Sequence, residues 1–328
     1  MKTKNVIKLV AILIAVVGIN IAGCKKDNEF KNETGQDAVD NNNVQSESDN
    51  AVNDVDNAVS NNHSMNTKAV RITGNLADYT SGTVCGASID TSLSSQGIIT
   101  LNFDGVTVCN NRKRSGSITA TLQGYSSGTR WLNVGAVLQL VFNNYEITRA
   151  SDGSSIEFNG TKTITNVTGG NLVSLYFGLQ STLVRTVAAN NLQVTFDNSK
   201  TATWNIDRQF TYTYTTYNGQ GIFTCSVQGL GSNNGINNLE NWGTTRNGDP
   251  FTSQVINAVV WNTTCGAWAP VTGELDIKVQ SKAFDLIMLI GVDQNGNPVI
   301  PAQNTCPYGM KISWTYGSKT GSKIYPYF

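Results

Sequence analysis

The chain has 328 residues, no net formal charge at pH 7 and a charged fraction of only 14%. Residues 68–328 carry 17 Lys and Arg against 14 Asp and Glu, a balance that excludes a nucleic-acid-binding surface of the usual basic kind. The single histidine, His63, precedes this part, so histidine triads, histidine bases and histidine metal ligands are excluded there. We therefore name no catalytic residue and expect no cofactor and no metal.

Residues 1–23 have the layout of a secretory leader. Three lysines at positions 2, 4 and 8 precede an apolar run over residues 9–22, which is too short to span a bilayer comfortably. The run ends in Ile21-Ala22-Gly23-Cys24, which resembles the lipobox of bacterial lipoproteins. This resemblance implies that residues 1–23 are a lipoprotein signal peptide and that Cys24 carries acyl chains, palmitate among them, which hold the protein at a membrane.

Residues 24–67 are predicted to be a disordered tether. Residues 25–67 contain eleven Asn and nine acidic residues against three lysines, so they offer little apolar area to offset the entropy of ordering. Val52, Val55 and Val59 recur at helical spacing, and a short amphipathic helix over residues 46–60 is the alternative. The start of the tether, Cys24-Lys25-Lys26-Asp27-Asn28-Glu29, resembles the signal that sends lipoproteins of Bacteroidota to the outer face of the outer membrane. We therefore expect a surface-exposed protein.

Residues 68–328 are predicted to form an all-β ectodomain. Period-two alternation recurs along the chain, for example in Phe210-Thr211-Tyr212-Thr213-Tyr214, and indicates half-buried antiparallel strands. Asn-Gly pairs at 159–160, 218–219, 247–248 and 295–296 predict turns between strands. No sustained helical pattern follows residue 67. These features favour an antiparallel, β-sandwich-like fold.

Five cysteines remain once Cys24 is acylated. In an oxidising envelope, neighbours in sequence are the natural disulfide partners, which predicts the pairs Cys85–Cys109 and Cys265–Cys306. Cys225 is then left as a buried free thiol in a strand. Zinc binding is the alternative, although the chain has neither a Cys-x-x-Cys pair nor a nearby histidine.

Two similar segments raise the hypothesis of an internal duplication with halves 68–168 and 169–328. Asn144-Tyr145-x-x-Thr148-Arg149-x-x-Asp152 matches Asn241-Trp242-x-x-Thr245-Arg246-x-x-Asp249 in identity and spacing. The alternative is a chance match between β segments of similar composition. Tyr145 and Trp242 are followed by turn-forming residues, so we select them as candidates for stacking on a ligand.

Several segments resemble a group of uncharacterised β-rich lipoproteins of Bacteroidota. The similar segments, which together span most of residues 85–306, are Thr100-Leu101-Asn102-Phe103-Asp104-Gly105, residues 109–118, Phe142-Asn143-Asn144-Tyr145, residues 160–166 and Thr245-Arg246-Asn247-Gly248 ahead of Cys265. The resemblance implies an all-β ectodomain behind a lipobox. It implies no chemistry.

Two functional classes are compatible with these features. The first is a lipid-anchored outer-membrane protein that acts as a binding, adhesion or envelope structural module, with the membrane, a glycan or an envelope protein as partner. The second is a glycan-active hydrolase that uses a pair of carboxylates, since a glycosidase needs only two suitably spaced acids. The absence of a catalytic signature favours the first class.

Overall fold

The computed structural model of the protein describes residues 22–66, 84–197, 199–266, 269–280, 284–299, 305–316 and 318–327. The predicted leader lies outside the described residues except at positions 22 and 23. Residue 67, the end of the predicted tether, and residues 68–83, the first part of the predicted ectodomain, also lie outside them. No helix among the described residues is both long enough and apolar enough to cross a membrane.

The described chain contains one long helix, α1 (Ala22–Asn61), a short helix, α2 (Leu172–Tyr176), and fifteen strands. The strands are β1 (Ala87–Asp90), β2 (Ile98–Asp104), β3 (Arg112–Leu122), β4 (Ala136–Arg149), β5 (Ser155–Asn166), β6 (Leu183–Phe196), β7 (Lys200–Tyr217), β8 (Gln220–Gly229), β9 (Gly231–Asn233), β10 (Ile236–Thr244), β11 (Pro250–Asn262), β12 (Thr272–Val279), β13 (Phe284–Val292), β14 (Gly309–Tyr316) and β15 (Lys319–Pro326). The predicted all-β, antiparallel class is confirmed.

All fifteen strands belong to one antiparallel sheet. Its order is β1 to β7, then β10 to β15. Strands β8 and β10 both lie between β7 and β11. Strand β8 pairs with residues 208–217 of β7 and 259–262 of β11. Strand β10 pairs with residues 204–206 of β7 and 250–254 of β11. The strands of the two hypothetical halves therefore lie in one hydrogen-bonded sheet.

One face of the sheet is buried and the other meets solvent. Strands such as β4 and β6 alternate between buried and accessible positions, which follows from side chains of an antiparallel strand pointing to opposite faces. The buried positions join in a single hydrophobic core that extends from Ile99 on β2 to Ile312 on β14. The core therefore lies along the inner face of the sheet.

Helix α1 lies against this inner face, and its apolar side chains belong to the same core. Val44, Val52, Val55 and Val59 are each at most 6% exposed. Polar contacts from the helix reach strands from β3 to β11, so the sheet curves around it. Burial of such valine side chains is worth about 1.5–3 kcal/mol each.

The prediction of a disordered tether over residues 24–67 is wrong for the described part of that segment. Residues 22–61 are helical, and the valines whose spacing gave the alternative, a helix over residues 46–60, are all buried. The physical reason is that a helix poor in apolar residues gains stability from a surface that pairs its charges. The acidic residues of this segment find such a surface because arginines from distant parts of the sequence lie on the inner face of the sheet.

Both predicted disulfides are present. Cys85 and Cys109 are joined, and so are Cys265 and Cys306, while Cys225 on β8 is a free cysteine as predicted. On the chain-entropy model the two bonds contribute about 3.5 and 4 kcal/mol. The first bond links the segment before β1 to the loop between β2 and β3, and the second links the loop after β11 to the segment before β14.

Candidate ligand-binding cleft

Acidic side chains of α1 pair with arginines of the sheet. The pairs are Glu47–Arg112, with 2.6 Å between N and O, Asp49–Arg208 at 2.8 Å, Asp40–Arg246 at 2.5 Å, Asp54–Arg114 and Asp56–Arg185. These arginines come from β3, β6, β7 and the loop after β10, elements that are separated by up to 134 residues in sequence. The acidic side chains of α1 therefore neutralise the arginines on the inner face of the sheet.

The Asp49–Arg208 pair is the most deeply placed of these contacts. Arg208 is 1% exposed and donates from Nη1 to both carboxylate oxygens of Asp49, at 2.8 and 2.9 Å. Burial raises the pKa of Asp49, and the arginine partly offsets this rise. Removing one partner of a buried pair leaves an uncompensated charge, which typically costs 3–5 kcal/mol.

Lys162 on β5 lies next to this pair. It is 0% exposed, its amine donates a hydrogen bond to Ser48 of α1, and it sits 5.4 Å and 5.7 Å from the ring centres of Phe142 and Phe158. Burial lowers the pKa of its amine to about 7, with Asp49 opposing the fall. The amine is thus held where its protonated form is costly.

A cleft of about 340 Å³ opens between α1 and the strands β6, β7, β8 and β11. A volume of this size falls in the range of small-molecule sites. One wall is polar and comes from α1, with Asp49, Asn50, Asn53, Asp54, Asp56, Asn57, Ser60 and Asn61. The opposite side carries five aromatic side chains, which we call the aromatic wall, among other residues such as Arg185 and Thr224. The five are Tyr176, Phe210, Tyr212, Phe223 and Trp261.

The aromatic wall continues to the surface through contacts between rings. Phe223 lies 4.7 Å from Tyr214, and Tyr214 lies 5.3 Å from Tyr176, measured between ring centres. Tyr176 is 40% exposed at the end of α2, and Phe177 beside it is exposed too. The aromatic surface therefore leads from solvent into the cleft.

Arg185 is the basic side chain of the cleft lining. It pairs with Asp56, and the Trp131 ring, 5.1 Å away, also donates its indole N–H to Asp56 at 2.7 Å. The Nε and Nη2 atoms of Arg185 are buried and have no hydrogen-bond partner among the described residues. Three N–H groups on two nitrogen atoms of a lining residue thus lack a partner, which is unusual because buried polar atoms are nearly always satisfied.

Cys225 also lines the cleft. Its thiol is free, and burial raises its pKa to about 12, so it is held as a neutral thiol at physiological pH. This environment is opposite to that of a catalytic cysteine, whose pKa must be lowered.

The two stacking residues selected from the sequence lie away from the cleft. Tyr145 is 1% exposed and packs among Phe103, Phe142 and Phe158, so its selection as an accessible ligand-stacking residue is wrong. A strand position before turn-forming residues does not by itself indicate exposure. Trp242 is half-buried and covers the backbone of Gly231, so its role as a stacking residue stays a prediction.

The acidic residues of α1 were missed as functional residues because the segment was treated as a solvated tether. A signal for them exists in the sequence. Asp40, Glu47 and Asp54 are seven residues apart, as are Asp49 and Asp56. Seven-residue spacing keeps side chains on nearly the same face of a helix, so this pattern predicts rows of charge beside the valines.

Comparison with known protein families, with characterised proteins and with solved structures finds no match for this chain.

Proposed function

We propose that this protein is a lipid-anchored binding protein of the bacterial outer membrane whose ligand site is the cleft between α1 and the sheet. The observation that carries this proposal is the cleft itself, which combines a polar wall, an aromatic wall and the unsatisfied N–H groups of Arg185. A few directed polar groups within an otherwise apolar concave surface are typical of ligand sites.

The anchor is proposed from the sequence. Ile21-Ala22-Gly23-Cys24 resembles a lipobox, and the Lys-then-acidic residues after Cys24 support a location on the outer face. Acylation at Cys24 adds lipid chains close to the start of α1, the helix that forms one wall of the cleft. The cleft is lined by residues 46–61 of α1, which begin 22 residues after Cys24. It would therefore be presented about 33 Å or more along the helix from the lipid, where a glycan or an envelope protein is within reach.

Binding is preferred to glycan hydrolysis because of how the carboxylates of the cleft are engaged. Asp49 pairs with Arg208, Asp54 with Arg114 and Asp56 with Arg185. These ion pairs attach α1 to the sheet, whereas an acid catalyst has to present its proton to the substrate. Their evident role is to hold the wall in place.

The anchor is tested by fractionation of cells that produce the Cys24→Ala variant. We expect the wild-type chain and a Cys225→Ala control to incorporate labelled palmitate and to sediment with outer membranes. The Cys24→Ala variant should do neither. Equal labelling of all three chains would contradict the anchor, and a chain that resists protease on intact cells would place the protein on the periplasmic face.

The binding role is tested with a chemically mixed panel of sugars, fatty acids and short peptides. A ligand of the cleft should raise the melting temperature of the wild-type protein but not of an Asn53→Trp variant. The side chain of Asn53 is exposed on α1 and borders the cleft, so an indole there fills the space without disturbing the core. If no compound distinguishes the two proteins, the proposed function is refuted.

A further inference from the structure

We propose that the ligand of the cleft is a sugar residue of a glycan, held with its apolar face on the aromatic wall and its hydroxyl groups against the asparagines of α1. This inference rests on the proposed binding function and names its ligand class. It follows from the chemistry of the two walls, which differ in kind and face each other across the cleft.

The polar wall suits hydroxyl groups. Asn50, Asn53 and Asn57 are spaced by three and four residues, so they project from the same face of α1, and Asn61 extends the row by another turn. An amide side chain offers both donors and an acceptor, which matches a hydroxyl group that donates and accepts at once. Asn50 and Asn61 already donate within the helix, to the carbonyl oxygen of Ser46 and to Asn57. A fatty acyl chain would not satisfy the hydrogen-bonding groups that remain.

These asparagines are also unfavourable for the helix that carries them. Asparagine is a poor helix former, and alanine would be the better residue at each of these positions. The same helix does carry alanine or valine where it contacts the core, at Ala51, Val52 and Val55. Asn41-Asn42-Asn43 lies on the same helix outside the cleft, so low helix propensity is a property of α1 as a whole and not of its cleft face alone.

The aromatic wall suits the ring face of a sugar. Phe223 and Trp261 on neighbouring strands are half-buried and line the cleft, and Tyr176 stands at its mouth. Aromatic faces carry partial negative charge and attract the slightly positive C–H groups of an apolar ring face. The exposed ring of Tyr176 lets a longer glycan chain continue out of the cleft.

Arg185 selects an acceptor on the sugar. Its Nε and Nη2 atoms are buried beside the cleft without partners among the described residues, and a ring or hydroxyl oxygen of a neutral sugar can accept from them. A carboxylate of a uronic acid would accept more strongly because charge-assisted hydrogen bonds are the stronger ones. In both cases the ligand is a pyranose with an acceptor oxygen next to Arg185.

The test is a titration of the full protein in lipid nanodiscs, which avoids detergent in the cleft. The probes are methyl glycosides and disaccharides of neutral hexoses, the corresponding hexuronic acids, a twelve-carbon fatty acid and a tripeptide. Binding is followed by tryptophan fluorescence, since Trp261 lines the cleft. We expect saturable binding of at least one sugar, and the comparison of neutral with acidic sugars identifies the source of the oxygen that Arg185 binds.

Two variants and a control place the sugar in the cleft. Asn53→Ala and Tyr176→Ala change exposed side chains, so folding is retained, and each should weaken sugar binding about tenfold, the equivalent of about 1.4 kcal/mol. Asn43→Ala makes the same change on α1 outside the cleft and should leave binding unaltered. A bound sugar should also slow the modification of Cys225 by a small thiol reagent.

The outcomes separate this inference from the proposed function. Sugar binding that is unaffected by both cleft variants overturns the sugar site. Saturable binding of the fatty acid or the peptide, lost in Asn53→Trp and without any sugar binding, overturns the sugar inference and leaves the binding function standing. No binding of any probe overturns both.

Discussion

Substitution of Lys162 by methionine should remove a pH dependence of stability that arises from the buried amine. A fall in its pKa from 10.5 to about 7 corresponds to about 5 kcal/mol of unfavourable free energy in the protonated folded state, at about 1.4 kcal/mol per pH unit. Lys162 is 0% exposed, so solvent does not screen this cost. Because the folded-state pKa is lowered, the cost is fully present below pH 7 and fades as pH rises towards 10.5.

The measurement is the free energy of unfolding in urea at several pH values between 6 and 8.5. Over this range the wild-type protein should gain about 2 kcal/mol relative to Lys162→Met, with the variant the more stable at pH 6. An exposed lysine on β3, changed in Lys113→Met, controls for the loss of one positive charge. If the free energies of unfolding of wild type and Lys162→Met change with pH in the same way, the buried amine does not have a lowered pKa, and the reasoning is refuted.

Two further predictions concern the contribution of single residues of the sheet and of a disulfide to the free energy of unfolding. Gly116→Ala should destabilise the protein by about 1–3 kcal/mol in urea unfolding, because Gly116 has φ +80° and a Cβ would lie 2.0 Å from the carbonyl oxygen of Asn144. Gly135→Ala, at φ +74° with open space around it, serves as the control, and equal losses would contradict the steric argument. Replacing Cys85 and Cys109 together by serine should cost about 3.5 kcal/mol in the same assay, and no change in stability would show that the bond does not constrain the unfolded chain.

The sheet was predictable because its signals are local. Alternation identified strands such as β7, and Asn218-Gly219 forms the predicted turn, with φ of 50° and 78°, between β7 and β8. Asn159-Gly160 carries the same signal but lies inside β5 at a break in the strand register, so that predicted turn is wrong. Glycine with positive φ serves bulges as well as turns, and the dipeptide does not distinguish them.

The cleft was not predictable in the same way because it depends on contacts between distant residues. Composition indicated disorder for residues 24–67, since their own apolar content is small. Pairs such as Asp56–Arg185 join residues that are 129 positions apart, and no local pattern relates the two. The free cysteine was predicted on β8, but its position on the lining of a cleft follows only from the way that β8 faces α1.

Helix α1 begins at Ala22 and continues without interruption to Asn61, and this continuity has a mechanical consequence. With Cys24 acylated as proposed, about 16 residues of helix separate the lipid from Asp40, the first of the ion-pair residues, a length of about 24 Å at 1.5 Å per residue. A force on the anchor would then pass along the helix axis and load its ion pairs with the sheet in shear, all at once. The resistance of the protein to extraction from the membrane would thus be coupled to the integrity of its fold, and pulling on the lipid would open the cleft from the side of the helix.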